Sequence, residues 1–125
     1  MIRIYGQQEK GKHPRENAEM ITFFNELRDK YPELAILATH IKNEGKRTAQ
    51  QIEKDKAEGL VTGFPDIVIL GAPAFVCEMK SKRKGSKASE DQLDVLEAAD
   101  KNGAFACIAY GYKAALEAVE EWQSA

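Results

Sequence analysis

Two apolar runs, residues 67–70 and 74–80, separated by Gly71-Ala72-Pro73, constrain this chain more than any other feature. Runs of β-branched, aromatic and aliphatic residues flanking a Gly/Pro turn predict an antiparallel hairpin. Centring the turn on Ala72 sets Asp66 and Glu78 at equal distances on either side of it, directly across from one another. Their Cβ atoms are then roughly 4.5 to 5.5 Å apart on one face of the sheet. Carboxylates so placed repel and call for a cation or a shared proton. Lys80, two positions beyond Glu78, falls on the same face, whereas Met79 points to the opposite side, toward a core.

A divalent ion meets that demand. Asp66 and Glu78 are the candidate metal ligands, the main-chain carbonyl of Met79 is a further hard oxygen donor, and Lys80 is placed to hold a water and offset phosphate charge. Such a set suits phosphodiester hydrolysis, because the ion lowers the pKa of water and polarises a phosphoryl oxygen. A Glu-x-Lys alone is usually a solvated strand edge worth about 1 kcal/mol or less. Here an aspartate opens an otherwise apolar strand, and a basic segment begins at Lys80 and continues through Lys82, Arg83, Lys84 and Lys87 without an acid. These cations are candidate phosphate contacts, which position a polyanion without reading its sequence.

The rest of the chain frames this hairpin. Its 125 residues fit one domain. A net charge of −2 argues against nucleic-acid binding by bulk charge, so any such contact uses a local patch. No apolar run approaches the roughly 20 residues of a membrane span, and the first residues lack the apolar core of a secretory signal, which points to the cytoplasm and reduced thiols. Cys77 and Cys107 each fall inside a strand-like run and read as small buried hydrophobes; with His13 and His40 they lack zinc-ligand spacing.

After a basic lead-in at 10–13, Pro14 suits a first helical turn, and Met20, Phe23, Phe24, Leu27 and Tyr31 recur at helical spacing up to Pro32. Residues 34–41 read as a buried strand. Thr48 caps a polar helix running to about Glu58, stopped by Gly59. Beyond the hairpin come a helix from Ser89 to near Gly103, a strand at 104–110 and a last helix carrying Leu116, Val119 and Trp122. The order αβ(α)ββαβα predicts an α/β fold with a mixed sheet flanked by helices.

Pro65-Asp66 followed by Glu78-Met79-Lys80 resembles the PD-(D/E)XK nuclease superfamily. Asn43-Glu44-Gly45-Lys46-Arg47, Lys56-Ala57-Glu58-Gly59, Gly63-Phe64-Pro65-Asp66 and Ser89-Glu90-Asp91-Gln92 narrow the likeness to VRR-NUC domains in their stand-alone phage and prophage form, over about residues 16–122. The resemblance implies a restriction-endonuclease-like fold, a Mg²⁺ or Mn²⁺ cofactor, and structure-selective DNA hydrolysis extending to four-way junctions. A domain this small covers one strand poorly, so a homodimer facing two strands is expected.

The same resemblance places a metal-supporting or water-supporting acid on the first helix, at Glu16 with Glu19 as alternative, although Met20 stands where the family often has Gln. Both acids also suit the positive end of the helix dipole. It makes Gln92 a site residue, while Ser89-x-x-Gln92 is equally a capping box. Asn43 becomes a substrate contact, Lys46 and Arg47 a second basic patch, and Glu44 a loop acid. The rival expectations are a nucleic-acid-binding module that keeps the fold without cutting, and an RNA-processing nuclease on the same scaffold.

Overall fold

The computed structural model describes residues 1–42 and 47–125. The expected substrate contacts Asn43 and Lys46, and the loop acid Glu44, lie outside the described residues.

The chain runs β1 (Arg3–Tyr5), α1 (Glu16–Lys30), α2 (Pro32–Ala35), β2 (Ala38–His40), α3 (Ala49–Ala57), β3 (Ile67–Ile69), β4 (Phe75–Lys80), α4 (Glu90–Lys101), β5 (Phe105–Tyr110) and α5 (Tyr112–Ser124). One five-stranded sheet has the order β1-β5-β4-β3-β2. β1, β5 and β4 are parallel, and β3 and β2 are antiparallel to their neighbours. This is the mixed α/β arrangement expected from the order of elements.

The hairpin forms in the expected register. Ile67 faces Cys77 and Ile69 faces Phe75, which centres the turn on Ala72. Trp122 locks it from α5: its indole Nε1 donates to the Pro73 carbonyl at 2.9 Å. Strand alternation then divides β4 between two cores. Phe75, Cys77 and Met79 join Phe23 and Leu27 of α1 and Val119 of α5 on one face, while Val76 meets Leu96 of α4 on the other. β4 and β5 lie between helical layers, which is why their sequences read as near-continuous apolar runs. Cys77 and Cys107 are free, buried, and paired across the β4–β5 ladder, in keeping with small core residues.

Two segments depart from expectation. Residues 34–41 do not form one strand: α2 starts with Pro32 in its first turn, and only Ala38–His40 pairs with β3. Leu34 and Ala35 are strong helix formers, and Pro at the start of a helix needs no N–H partner. The N-terminal residues, by contrast, build an edge strand that periodicity does not reveal, since β1 is three residues long and only partly buried. It is held by pairing with β5 and by the Arg3 guanidinium, 4.2 Å from the centre of the Phe105 ring. Among the described residues no helix is long and apolar enough to cross a membrane.

Phe75 is fully buried between the Phe105 and Trp122 rings, with centroids 5.8 and 5.4 Å away. Phe75→Ala is therefore expected to destabilise the fold by about 3–5 kcal/mol, read as a shift in the urea midpoint with an unchanged slope.

Candidate active site

Because β3 runs antiparallel to β4, its start meets β4's carboxyl end, where the parallel strands β1, β4 and β5 also finish. Asp66 stands one residue before β3 and continues the sheet, its carbonyl accepting from the Ile41 N–H at 2.7 Å. The β3–β4 register extended one step sets Asp66 opposite Glu78, and one step further sets Pro65 opposite Met79. Proline has no N–H to give to the ladder. The Met79 N–H donates to the Asp66 side chain, at Oδ2, over 3.2 Å. A strand residue turns its N–H and C=O toward the same edge, so the Met79 carbonyl also lies on the Asp66 side, with no prolyl donor to take it up.

Glu78 is 1% exposed. Its Oε2 accepts from Gln92 Nε2 at 2.9 Å and lies 3.5 Å from Lys80 Nζ, whereas Oε1 is buried without a partner. Burial, then the facing Asp66 carboxyl, and last the charge of Glu16 push the Glu78 carboxyl up from 4.5 to about 9, against the pull of Lys80. These carboxyls call for a proton or a metal, as the facing arrangement requires.

Gln92 makes contacts in both directions. Its Oε1 accepts from the Ser89 N–H at 2.8 Å, completing the capping box of α4, while Nε2 holds Glu78. Glu16 and Glu19 separate. Glu16 lines a cavity of about 220 Å³ together with Asp66, Glu78 and Gln92, and a smaller crevice of about 50 Å³ with Asp66 and His40. Glu19 is buried with Oε2 beside Gly111, in a position outside both cavities.

Other wall residues were not singled out from sequence. His40 reaches the crevice because β2 pairs His40 with Ile67, next to Asp66. Gly63 closes the cavity from the approach to β3. It has a φ of +79°, and a Cβ there would come within 2.6 Å of the Asp91 main chain, so the loop can rest on the first turn of α4 only as glycine. The Gly-Phe-Pro-Asp string carried that signal.

The oxygen donors fit a hard cation. Among the described residues no three acids, histidines or cysteines converge to hold an ion by themselves. Mg²⁺ does not need such a cage, since it keeps several waters and takes one or two carboxylates. The unpartnered Glu78 Oε1 is a ready donor, with Asp66 facing it across the register and the Met79 carbonyl on the same edge of β4.

The expected phosphate contacts fare differently. Arg47 is tied to Asp55 of α3, which turns it into part of that helix's surface. Lys82 Nζ is 3.8 Å from Glu9, and Arg83 Nε donates to the His13 carbonyl at 3.1 Å. Lys84 and Lys87 are exposed, and neither forms an ion pair among the described residues.

A mixed α/β domain with a carboxylate pair, an amine and an amide at the carboxyl end of its central strand is thus the class that fold and site define. A solved structure titled "VRR_NUC domain protein" shares this fold, with a TM-score of 0.75 over 93% of this chain and 92% of that chain, at 21% identity. No family profile and no curated protein matches the sequence.

Glu78's folded pKa lies above its ordinary value, so the folded state retains a proton that the unfolded chain releases. That stabilisation is complete below about pH 4.5 and is lost as the pH rises through about 9. In chelator, melting temperatures should fall more steeply over this range for the natural protein than for Glu78→Gln, whose neutral amide needs no proton. Equal slopes would remove the proton-sharing account.

Proposed function

We propose that this protein is a metal-dependent nuclease that hydrolyses DNA phosphodiester bonds, with Asp66 and Glu78 as the protein's ligands to Mg²⁺ or Mn²⁺. The reading is carried by one observation: Glu78 is buried against a second carboxylate, with one oxygen partnered by Gln92 and Lys80 and the other by nothing. The bound ion would lower the pKa of a water and polarise the phosphoryl oxygen. The Met79 carbonyl supplies a third oxygen at that position.

The chain's own residues then divide the work. Lys80, 12% exposed and anchored 3.5 Å from Glu78, holds the attacking water and offsets charge that builds on the phosphate. Gln92 fixes Glu78 by one oxygen, leaving the other for the ion. Glu16, at the start of α1, supports water from the cavity wall. Lys82, Arg83, Lys84 and Lys87 contact backbone phosphates, which favours structure over sequence as the basis of selection. Branched DNA is the substrate this suits, cut by a homodimer with one site for each of two strands.

The purified protein is expected to cleave supercoiled and four-way-junction DNA with Mg²⁺ and to be silent in chelator. Asp66→Asn and Glu78→Gln should abolish cleavage, and Lys80→Ala should slow it by about 10²-fold or more. Cleavage surviving in chelator or in Asp66→Asn rejects the mechanism. Equal rates on junction and plain duplex reject branch selectivity alone, and metal-independent binding without any cutting favours the non-cleaving module. Preference for RNA over every DNA substrate assigns the site to RNA processing.

A further inference from the structure

Residues 6–15, between β1 and α1, do not hang free of the fold. They lie along the basic segment 81–88 and are fastened to it repeatedly. The Gln8 side chain grips it at two points, donating to the Ser86 carbonyl and accepting from the Gly85 N–H. The Glu9 N–H donates to the Lys82 carbonyl at 2.8 Å, Arg83 Nε donates to the His13 carbonyl at 3.1 Å, and Ser81 Oγ donates to the Pro14 carbonyl at 3.0 Å. The segment also braces itself, with His13 Nε2 3.0 Å from the Lys10 carbonyl.

The two segments together form one basic surface. Lys10, Lys12 and Arg15 stand on the first, and Lys82, Arg83, Lys84 and Lys87 on the second, against a single acid, Glu9. Seven cations less one acid give this surface +6 in a chain of net −2, so the remainder sums to −8. All of the seven except Lys82 are exposed. Such a charge division attracts a polyanion to one end of the molecule and repels it elsewhere.

We infer that the 6–15 strap is a second wall of a phosphate-binding surface, and that Lys10, Lys12 and Arg15 take the backbone of a duplex arm running past the carboxylate cavity. The surface begins at Lys80 and at Pro14, two residues from Glu16, so it is continuous with the cavity. A lipid surface is the less suitable polyanion. Interfacial binding joins cations to exposed apolar side chains, and the large exposed hydrophobics of the described residues all lie outside both segments. The inference rests on the nucleic-acid half of the proposed function and not on hydrolysis.

The test is binding of a 20-bp duplex by fluorescence anisotropy in chelator between 50 and 200 mM salt, for the natural protein, for Lys10→Gln/Lys12→Gln/Arg15→Gln, and for Lys84→Gln/Lys87→Gln. Each phosphate contact contributes about 0.9 to the slope of log affinity against log salt. The triple variant should lower that slope by about 2 to 3 and the double variant by about 2. A matching melting temperature certifies the triple variant; should it not fold, Lys12→Gln alone must lower the slope by about 1. An unchanged slope in the folded strap variant, no duplex binding by the natural protein, or binding to phosphatidylglycerol vesicles in place of duplex overturns the inference. The variants' slopes leave the hydrolytic half of that reading untouched, and Asp66→Asn tests it separately.

Discussion

Glu78 lies in a central strand with its carboxyl group almost wholly removed from water, and a carboxylate there is stable only if something replaces the lost hydration. Lys80 and the Gln92 amide replace it for one oxygen. The facing Asp66 makes matters worse for the other, because it adds like charge on the side where the hairpin brings the strands together. The site is therefore an electrostatic deficit fixed by backbone geometry, and the deficit calls for a proton below about pH 9 or for a hard cation with its waters.

The surrounding fold holds the deficit in place. Trp122 ties down the turn, the two cores grip alternate residues of β4, and Pro65 interrupts the ladder where a regular strand would have tied up the Met79 carbonyl. A proline opening a strand usually marks only an edge or an end of pairing. Here its missing N–H also leaves the Met79 carbonyl without a ladder donor, while the Asp66 side chain accepts from the Met79 N–H, so both residues of the Pro-Asp dipeptide act on the main chain of Met79.

Much of this was legible because hairpin register follows from counting. A turn centred on Ala72 fixes which residues face each other, and strand alternation then separates Lys80 from Met79 without further information. The caps at Thr48 and Ser89 were legible for a similar reason, since their partners lie three residues away. What escaped depended on distant pairing. β1 is stable as a strand only beside β5, and the division of 34–41 between a helical turn and β2 reflects where β3 offers an edge. Which of Glu16 and Glu19 lines the cavity depends on how α1 meets the end of the sheet, which local spacing leaves open. Arg47 looked available from sequence because Asp55, its partner, lies a helix away. The fastening of the basic lead-in at 10–13 was not legible either, because the side chain that secures it, Gln8, carries no charge or pattern.

The shared amide of Gln92 also limits how such a chain can diverge. Glutamate at 92 would still cap α4 but would lose the donor and set a third acid against Glu78. Asparagine would retain both groups but is a methylene shorter, and lysine would donate without capping. Glutamine alone combines an acceptor and a donor at that reach, so a change at 92 disturbs the cap at 89 and the carboxyl at 78 together, and the start of a surface helix is tied to the buried carboxyl beneath it.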